Sequence, residues 1–193
     1  MRVPCGGRKV ISIVLIGAAI ISLTNLGAVY LFDVDEAVFA QASKEMLYSG
    51  DWINPTYNGI NRYDKPILIY WLMVVSYKVF GVNEFAARLP SVLSGLLLLF
   101  VLYRFARQHI SENSARFALI ALAFSSYFFV YSRAAVTDMT LTLFITLSLI
   151  SFYSGSRLRN AIGLYAFSAL AFLTKGLIGV VFPFAIAIIC LLY

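Results

Sequence analysis

The sequence predicts an all-α integral membrane protein with several spans, and three observations carry that prediction. Of its 193 residues, 61% are hydrophobic and only 12% are charged, with a mean hydropathy of +0.86. Soluble domains carry about 25% charged residues, so the polar side chains here are too few to cover a water-facing surface. The apolar residues gather in long runs, and the charges between those runs divide unequally. This composition excludes an ordinary cytosolic enzyme, a disordered chain and a secreted disulfide scaffold. Cys5 and Cys190 lie at opposite ends and form no metal-type or disulfide pattern. The net charge of +6 comes from basic residues scattered singly among apolar runs, which is membrane-orienting placement rather than a nucleic-acid surface.

The first apolar run, Val10–Phe32, follows Arg2, Arg8 and Lys9. It is longer than the roughly 7–15-residue core of a cleaved signal peptide and reads as a retained helix. The remaining runs place spans at about 84–106, 115–132, 138–156, 160–175 and 176–193, after a first span at 10–32. The run beginning at Pro66 has only 12 residues before Lys78. A span needs roughly 20, so this segment is predicted to lie in the interface. Charge supports that assignment. With this run outside the bilayer core, Arg2, Arg8, Lys9, Arg104, Arg107, Arg116, Arg157 and Arg159 share one side with a single acid, Glu112. The opposite side receives seven basic and eight acidic residues. The positive-inside rule makes the first side, with the N-terminus, cytoplasmic.

The loop 33–82 then lies outside, with interfacial helices predicted at about 35–49 and 66–80. In the first, Phe39, Ala42 and Met46 recur near helical spacing, Asp33 and Glu36 resemble a capping box, and Gly50 supplies a stop. Pro55, Asn58-Gly59 and Asn61 make the following stretch turn-rich.

Several ionisable groups collect on this outer side: Asp33, Asp35 and Glu36 after the first span, Asp64-Lys65 after Tyr63, Asp138 at the start of a later span, and Lys175 before Gly176. Ionisable groups at the edge of the apolar phase mark functional sites by default. Each also has a local structural reading. Asp33 and Asp138 can cap helices, Asp35 and Glu36 can complement a helix dipole, and Lys175 can snorkel or sit at a helix C-terminus. Asp64-Lys65 can be an exposed ion pair, and Arg88 and Arg133 can anchor the interface or meet a lipid phosphate. Taken together, the set suits chemistry on a lipid-borne phosphate ester. Carboxylates supply a general base or oxygen ligands for a divalent metal of unspecified identity, and lysine holds a phosphate. No Walker loop, GxSxG elbow or HExxH motif occurs, and the lone His109 falls on the cytoplasmic side as a polar loop residue.

The ordered segments Asp35-Glu36-Ala37-Val38-Phe39-Ala40, Glu45 to Trp52, Tyr63-Asp64-Lys65-Pro66, Phe80 to Glu84, Ala87-Arg88-Leu89-Pro90 and Thr174-Lys175-Gly176 span nearly the whole chain. In this order they resemble the aminoarabinose lipid A transferases and related protein mannosyltransferase-like membrane enzymes. The resemblance implies a GT-C fold with two juxtamembrane helices in the first periplasmic loop, in a bacterial inner membrane. It implies inverting transfer of a sugar from a polyprenyl-phosphate donor to lipid A or another glycolipid, glycan or protein acceptor. Asp35 matches the family's catalytic acid and Asp138 its second acid. Asp64 and Lys65 match an acid–lysine pair that binds metal or donor phosphate. The expected set is therefore Asp35 and Asp138 as catalytic residues, Lys65, Arg88 and Lys175 around the donor phosphate, Asp35, Asp64 and Asp138 around a metal, and Glu36 and Tyr63 in support.

The sequence departs from the aminoarabinose pattern at Val38, Phe39 and Asp64, where Arg, Tyr and Glu are typical. The general reaction is compatible with those changes, but the sugar and acceptor are not fixed by the resemblance. Gly176–Tyr193 is apolar to its last residue, and the resemblance places further spans and a periplasmic domain beyond it, so the chain reads as the N-terminal part of a longer enzyme. A proton-coupled transporter and a non-catalytic assembly subunit are the alternatives. The first is disfavoured because transporter charges sit near the bilayer midplane, whereas these gather at helix ends.

Overall fold

The computed structural model describes the backbone of residues 5–31, 35–154 and 157–192, and the side chains of 11–31, 35–153 and 160–192. The described residues form α1 (Cys5–Leu23), α2 (Glu36–Ser49), a hairpin of β1 (Thr56–Tyr57) and β2 (Ile60–Asn61), α3 (Leu68–Phe80) and α4 (Glu84–His109). They continue as α5 (Glu112–Ala123), α6 (Ser126–Ser132), α7 (Asp138–Ser154), α8 (Arg157–Lys175) and α9 (Ile178–Leu192). The architecture is all-α apart from the small antiparallel hairpin, in which Thr56 faces Asn61.

Among the described residues, α4 alone is long and apolar enough to cross a bilayer as one unbroken helix. Asn83 starts it, its side chain accepting a bond from the Ala86 N–H at 2.8 Å. The stretch expected as one span at 115–132 is two helices rather than one. Helices α5 and α6 meet at a 61° bend, where Ser125 accepts from the Phe128 N–H and restarts the helix. The Ser125-Ser126 pair inside the apolar run marks the break, a signal that run length alone passes over.

The first span also differs from the expectation. The helix ends at Leu23 rather than continuing to Phe32, and Asn25 adopts a left-handed φ of 54°. Two distant arginines explain the early exit. Arg133 donates to the carbonyls of Ile21 and Thr24, and Arg88 to those of Leu26, Val29 and Tyr30. The backbone from 21 to 30 can therefore leave the helix without orphaning these acceptors.

The core has two parts. One lies among α2, α3 and the start of α4, around Met46, Ile69, Tyr70, Met73 and Ala86, and includes Ala135. The other joins α1, α4, α5, α6 and α7 around Leu99, Leu119, Phe128 and Met139. Small residues let the helices approach closely, as is usual where both sides of an interface are apolar. Ser94 and Thr140 hydroxyls meet at 3.0 Å between α4 and α7, and Ser148 and Ser168 at 2.9 Å between α7 and α8. At the far end of α4, Glu112 pairs with Arg107 at 2.9 Å and Arg116 at 3.3 Å. His109 is a helix residue rather than a loop residue, packed against the rings of Phe105 and Tyr153.

Candidate active site

Glu36 opens α2, yet it is 4% exposed, and Arg88 on α4 is 6% exposed. The Arg88 Nε–H donates to Glu36 Oε1 at 3.0 Å and Nη2 to Oε2 at 2.8 Å, a two-point guanidinium–carboxylate pair. Its other recorded bonds run to Leu26, Val29 and Tyr30. A guanidinium has five N–H groups, and all five are engaged. Glu36 Oε1 also accepts the Ala135 N–H at 2.6 Å. One buried pair thus fastens α2, α4, the segment after α1 and the turn before α7. This corrects the expectation for both residues. Arg88 is neither an interface anchor nor a donor with an N–H to spare for a phosphate, and Glu36 turns its carboxylate to Arg88 and the Ala135 N–H. The proposed cap, Asp33, lies outside the described residues.

Beside this staple is a cavity of about 400 Å³ whose walls include Asp35, Glu36, Arg88, Tyr131 and Arg133. Asp35 stands at the N-cap of α2, but its side chain makes no capping bond. Its exposed carboxylate is held beside the cavity by a neighbour locked into the core. Tyr131 also borders a second cavity of about 280 Å³, whose walls include Asp138. The two acids expected to act together therefore line adjacent cavities.

Asp138 begins α7 and Lys175 ends α8, and Lys175 Nζ lies 2.6 Å from Asp138 Oδ1. An acid in a first helical turn and a base in a last turn each complement the helix dipole. Gly176 closes α8 at φ 78°, its N–H donating to the Phe172 carbonyl at 2.7 Å. The pair is partly open, with side chains 39% and 30% exposed, so its value to stability is about 1 kcal/mol or less.

The loop between α2 and α3 is organised by Glu45. Its carboxylate accepts from the Thr56 hydroxyl at 2.6 Å, the Asn58 N–H at 2.8 Å and the Gln41 amide at 2.8 Å. These bonds, the Thr56 hydroxyl foremost, draw its pKa down to about 2. Trp71 fastens the other side by donating to the Trp52 carbonyl at 2.7 Å, and Lys78 lies 4.3 Å from the centre of the Trp52 ring. Tyr63 donates to the Asn54 side chain at 3.2 Å. Asp64 pairs with Arg62 at 3.2 Å, not with adjacent Lys65. Tyr63, Asp64 and Lys65 are absent from the walls of the two cavities that hold Asp35 and Asp138.

The expected metal set does not assemble. Among the described residues, no three His, Cys, Asp or Glu side chains converge to hold a metal ion. Asp64 is taken by Arg62 and Asp138 by Lys175, so the donor set of Asp35, Asp64 and Asp138 does not fit a metal here. Two residues of interest escaped the expected set. Tyr131 lines both cavities but is one of two tyrosines in a run of mostly apolar and aromatic residues that does not single it out. Glu45 is an ordinary helix-face acid by spacing, and the nearby Asn58-Gly59 turn was its only signal.

Comparison with known proteins agrees with this geometry. The family model for dolichyl-phosphate-mannose-protein mannosyltransferase matches residues 64–193. A protein of Aquifex aeolicus without an assigned function is 36% identical over 93% of this chain and 37% of its own length. An undecaprenyl phosphate-alpha-4-amino-4-deoxy-L-arabinose arabinosyl transferase of Pseudomonas fluorescens is 32% identical, over 94% of this chain and 32% of its own length. The crystal structure of ArnT from Cupriavidus metallidurans bound to undecaprenyl phosphate superimposes with a TM-score of 0.87 at 30% identity, covering 94% of this chain and 35% of that one. The chain thus spans about a third of the length of the relatives it matches. The GT-C-type helical membrane fold predicted from the sequence is the fold it shares with ArnT. By the match of its family model and by its fold, the chain belongs to the dolichyl-phosphate-mannose-protein mannosyltransferase family.

Proposed function

We propose that this chain forms the Asp35- and Asp138-bearing part of a membrane glycosyltransferase that moves a sugar from a polyprenyl-phosphate donor to an acceptor, lipid A or a related glycolipid, at the outer face of the inner membrane. The observation that carries the reading is the placement of Asp35. An exposed carboxylate, not used by its own helix, stands at a cavity beside a buried Glu36–Arg88 staple. Family membership supplies the chemistry to which that placement is suited. With the N-terminus cytoplasmic, this cavity faces the periplasm.

In the reaction, Asp35 orients the acceptor nucleophile and takes its proton. The acceptor atom bonds to the anomeric carbon while the bond from that carbon to the phosphate oxygen breaks, and polyprenyl phosphate leaves with the electron pair. Attack opposite the leaving group inverts the anomeric centre. Lys65 lies outside the walls of the Asp35 and Asp138 cavities, and only the family resemblance assigns it to the donor phosphate, as a point charge. Asp138, held by Lys175, shapes the neighbouring cavity and positions substrate. Arg88 is a positioning residue, since its N–H groups hold Glu36 and the backbone. No step requires a metal.

The test is transfer by the full-length protein in liposomes given radiolabelled polyprenyl-phosphate sugar and lipid A. Label in the acceptor with release of polyprenyl phosphate is expected. Proton-driven flux of solute with no transfer to any acceptor would replace this reading with a transporter.

A further inference from the structure

A third cavity shares no wall residue with the Asp35 cavity. Between α1 and the bent α5–α6 pair runs a groove of about 550 Å³, walled by Ile13, Val14, Gly17, Ile21, Phe124 and Phe129 among others. Its walls include no charged side chain. Gly17 leaves part of the wall open, because a Cβ added there would meet nothing within 4 Å. The 61° bend between α5 and α6 falls at Phe124-Ser125, which also line the groove.

Arg133 stands at one end. Its guanidinium donates to the carbonyl of Ile21, a wall residue, and to that of Thr24 at 2.8 Å. It also lies 5.2 Å from the ring centre of Phe129, another wall residue. These contacts engage two of its five N–H groups through backbone carbonyls. No salt bridge joins Arg133 to a carboxylate among the described residues. A cation that retains donor capacity thus stands against two wall residues of the apolar trough, on the side of the Asp35 cavity.

We propose that this groove seats an acyl chain of an anionic bilayer phospholipid, with its phosphate on Arg133. Charge complementarity favours that occupant. A guanidinium matches phosphate oxygens with two parallel N–H bonds, and an apolar trough beneath it accepts a hydrocarbon chain. A further helix of the same protein would fill the trough equally well but would not supply the anion. Because Arg133 also lines the Asp35 cavity, the test reads lipid retention and not sugar transfer.

The full-length protein is reconstituted with equal amounts of phosphatidylglycerol and phosphatidylethanolamine, extracted into mild detergent and examined by native mass spectrometry. Wild type is expected to retain phosphatidylglycerol in preference to phosphatidylethanolamine. Gly17→Leu, which fills open space, should lower retention at least five-fold. Arg133→Gln should remove the headgroup preference and Arg133→Lys should restore part of it. If Arg133→Gln fails to fold because the α1 carbonyls lose their donor, Gly17→Leu decides alone. No retained lipid in wild type, unchanged retention in Gly17→Leu, or a headgroup preference intact in folded Arg133→Gln would overturn the proposal.

Discussion

Replacing Arg88 with Met removes all five bonds of the guanidinium while keeping a side chain of similar reach. The carboxylate of Glu36 then stays buried without its guanidinium partner, while the Ala135 N–H still donates to it. The carbonyls of Leu26, Val29 and Tyr30 lose their donor as well. Val29 and Tyr30 are 65% and 88% exposed, so water or lipid headgroups can replace much of what their carbonyls lose. Loss of the counter-charge from the buried carboxylate dominates, and breaking a buried pair by removing one partner costs about 3–5 kcal/mol. Reversible unfolding of the full-length protein in mixed micelles, titrated with a denaturing detergent, measures it. The double variant Arg88→Met/Glu36→Gln leaves no buried charge and should recover about 2 kcal/mol relative to the sum of the singles. A single-variant loss within about 0.5 kcal/mol of wild type, as for a surface substitution, would refute the staple. Strict additivity in the cycle would refute the pairing.

Three further outcomes are expected. Glu45 is held near pKa 2 against a reference of 4.5. Its contribution is therefore complete above about pH 4.5 and is lost as pH falls toward 2. With screening at this mostly open carboxylate, that amounts to about 1 kcal/mol; hydrogen exchange across residues 50–65 should rise over that pH window in wild type and be insensitive to it in Glu45→Gln. Gly179→Ala should destabilise by about 1–3 kcal/mol, because the added Cβ would overlap the Ala171 backbone where α9 packs on α8, whereas Gly17→Ala should be neutral; thermal unfolding compares the two. Lys65→Ala should raise the KM for the donor at least ten-fold with a smaller change in kcat, measured in the same transfer assay.

Much of the fold was legible because membrane insertion imposes simple constraints. Long apolar runs identify a helical bundle, and the short run after Pro66 forms the short helix α3. What sequence could not display was long-range satisfaction of backbone and charge. The early end of α1 depends on Arg88 and Arg133, whose side chains reach back more than fifty residues to take its carbonyls. The bend at Ser125 depends on a side-chain cap from a serine pair that run length alone passes over. The candidate site divided in the same way. Asp35 and Asp138 were identifiable as acids at helix starts, and they line neighbouring cavities. Arg88 was expected at the donor phosphate, but its pattern alone could not reveal that Glu36 and three carbonyls already occupy it. The metal set failed for a related reason, since the partners of Asp64 and Asp138 are cations brought close only by folding.

The role of Asp35 is tested most directly by single-turnover sugar transfer in the full-length Asp35→Asn protein, at saturating polyprenyl-phosphate sugar and acceptor. Because Asp35 is exposed and makes no capping bond, the substitution should leave unfolding unchanged within about 0.5 kcal/mol. The chemical step should fall at least 10²-fold, the lower range for removing a general base. A folded Asp35→Asn protein that transfers sugar at the wild-type rate would contradict the account.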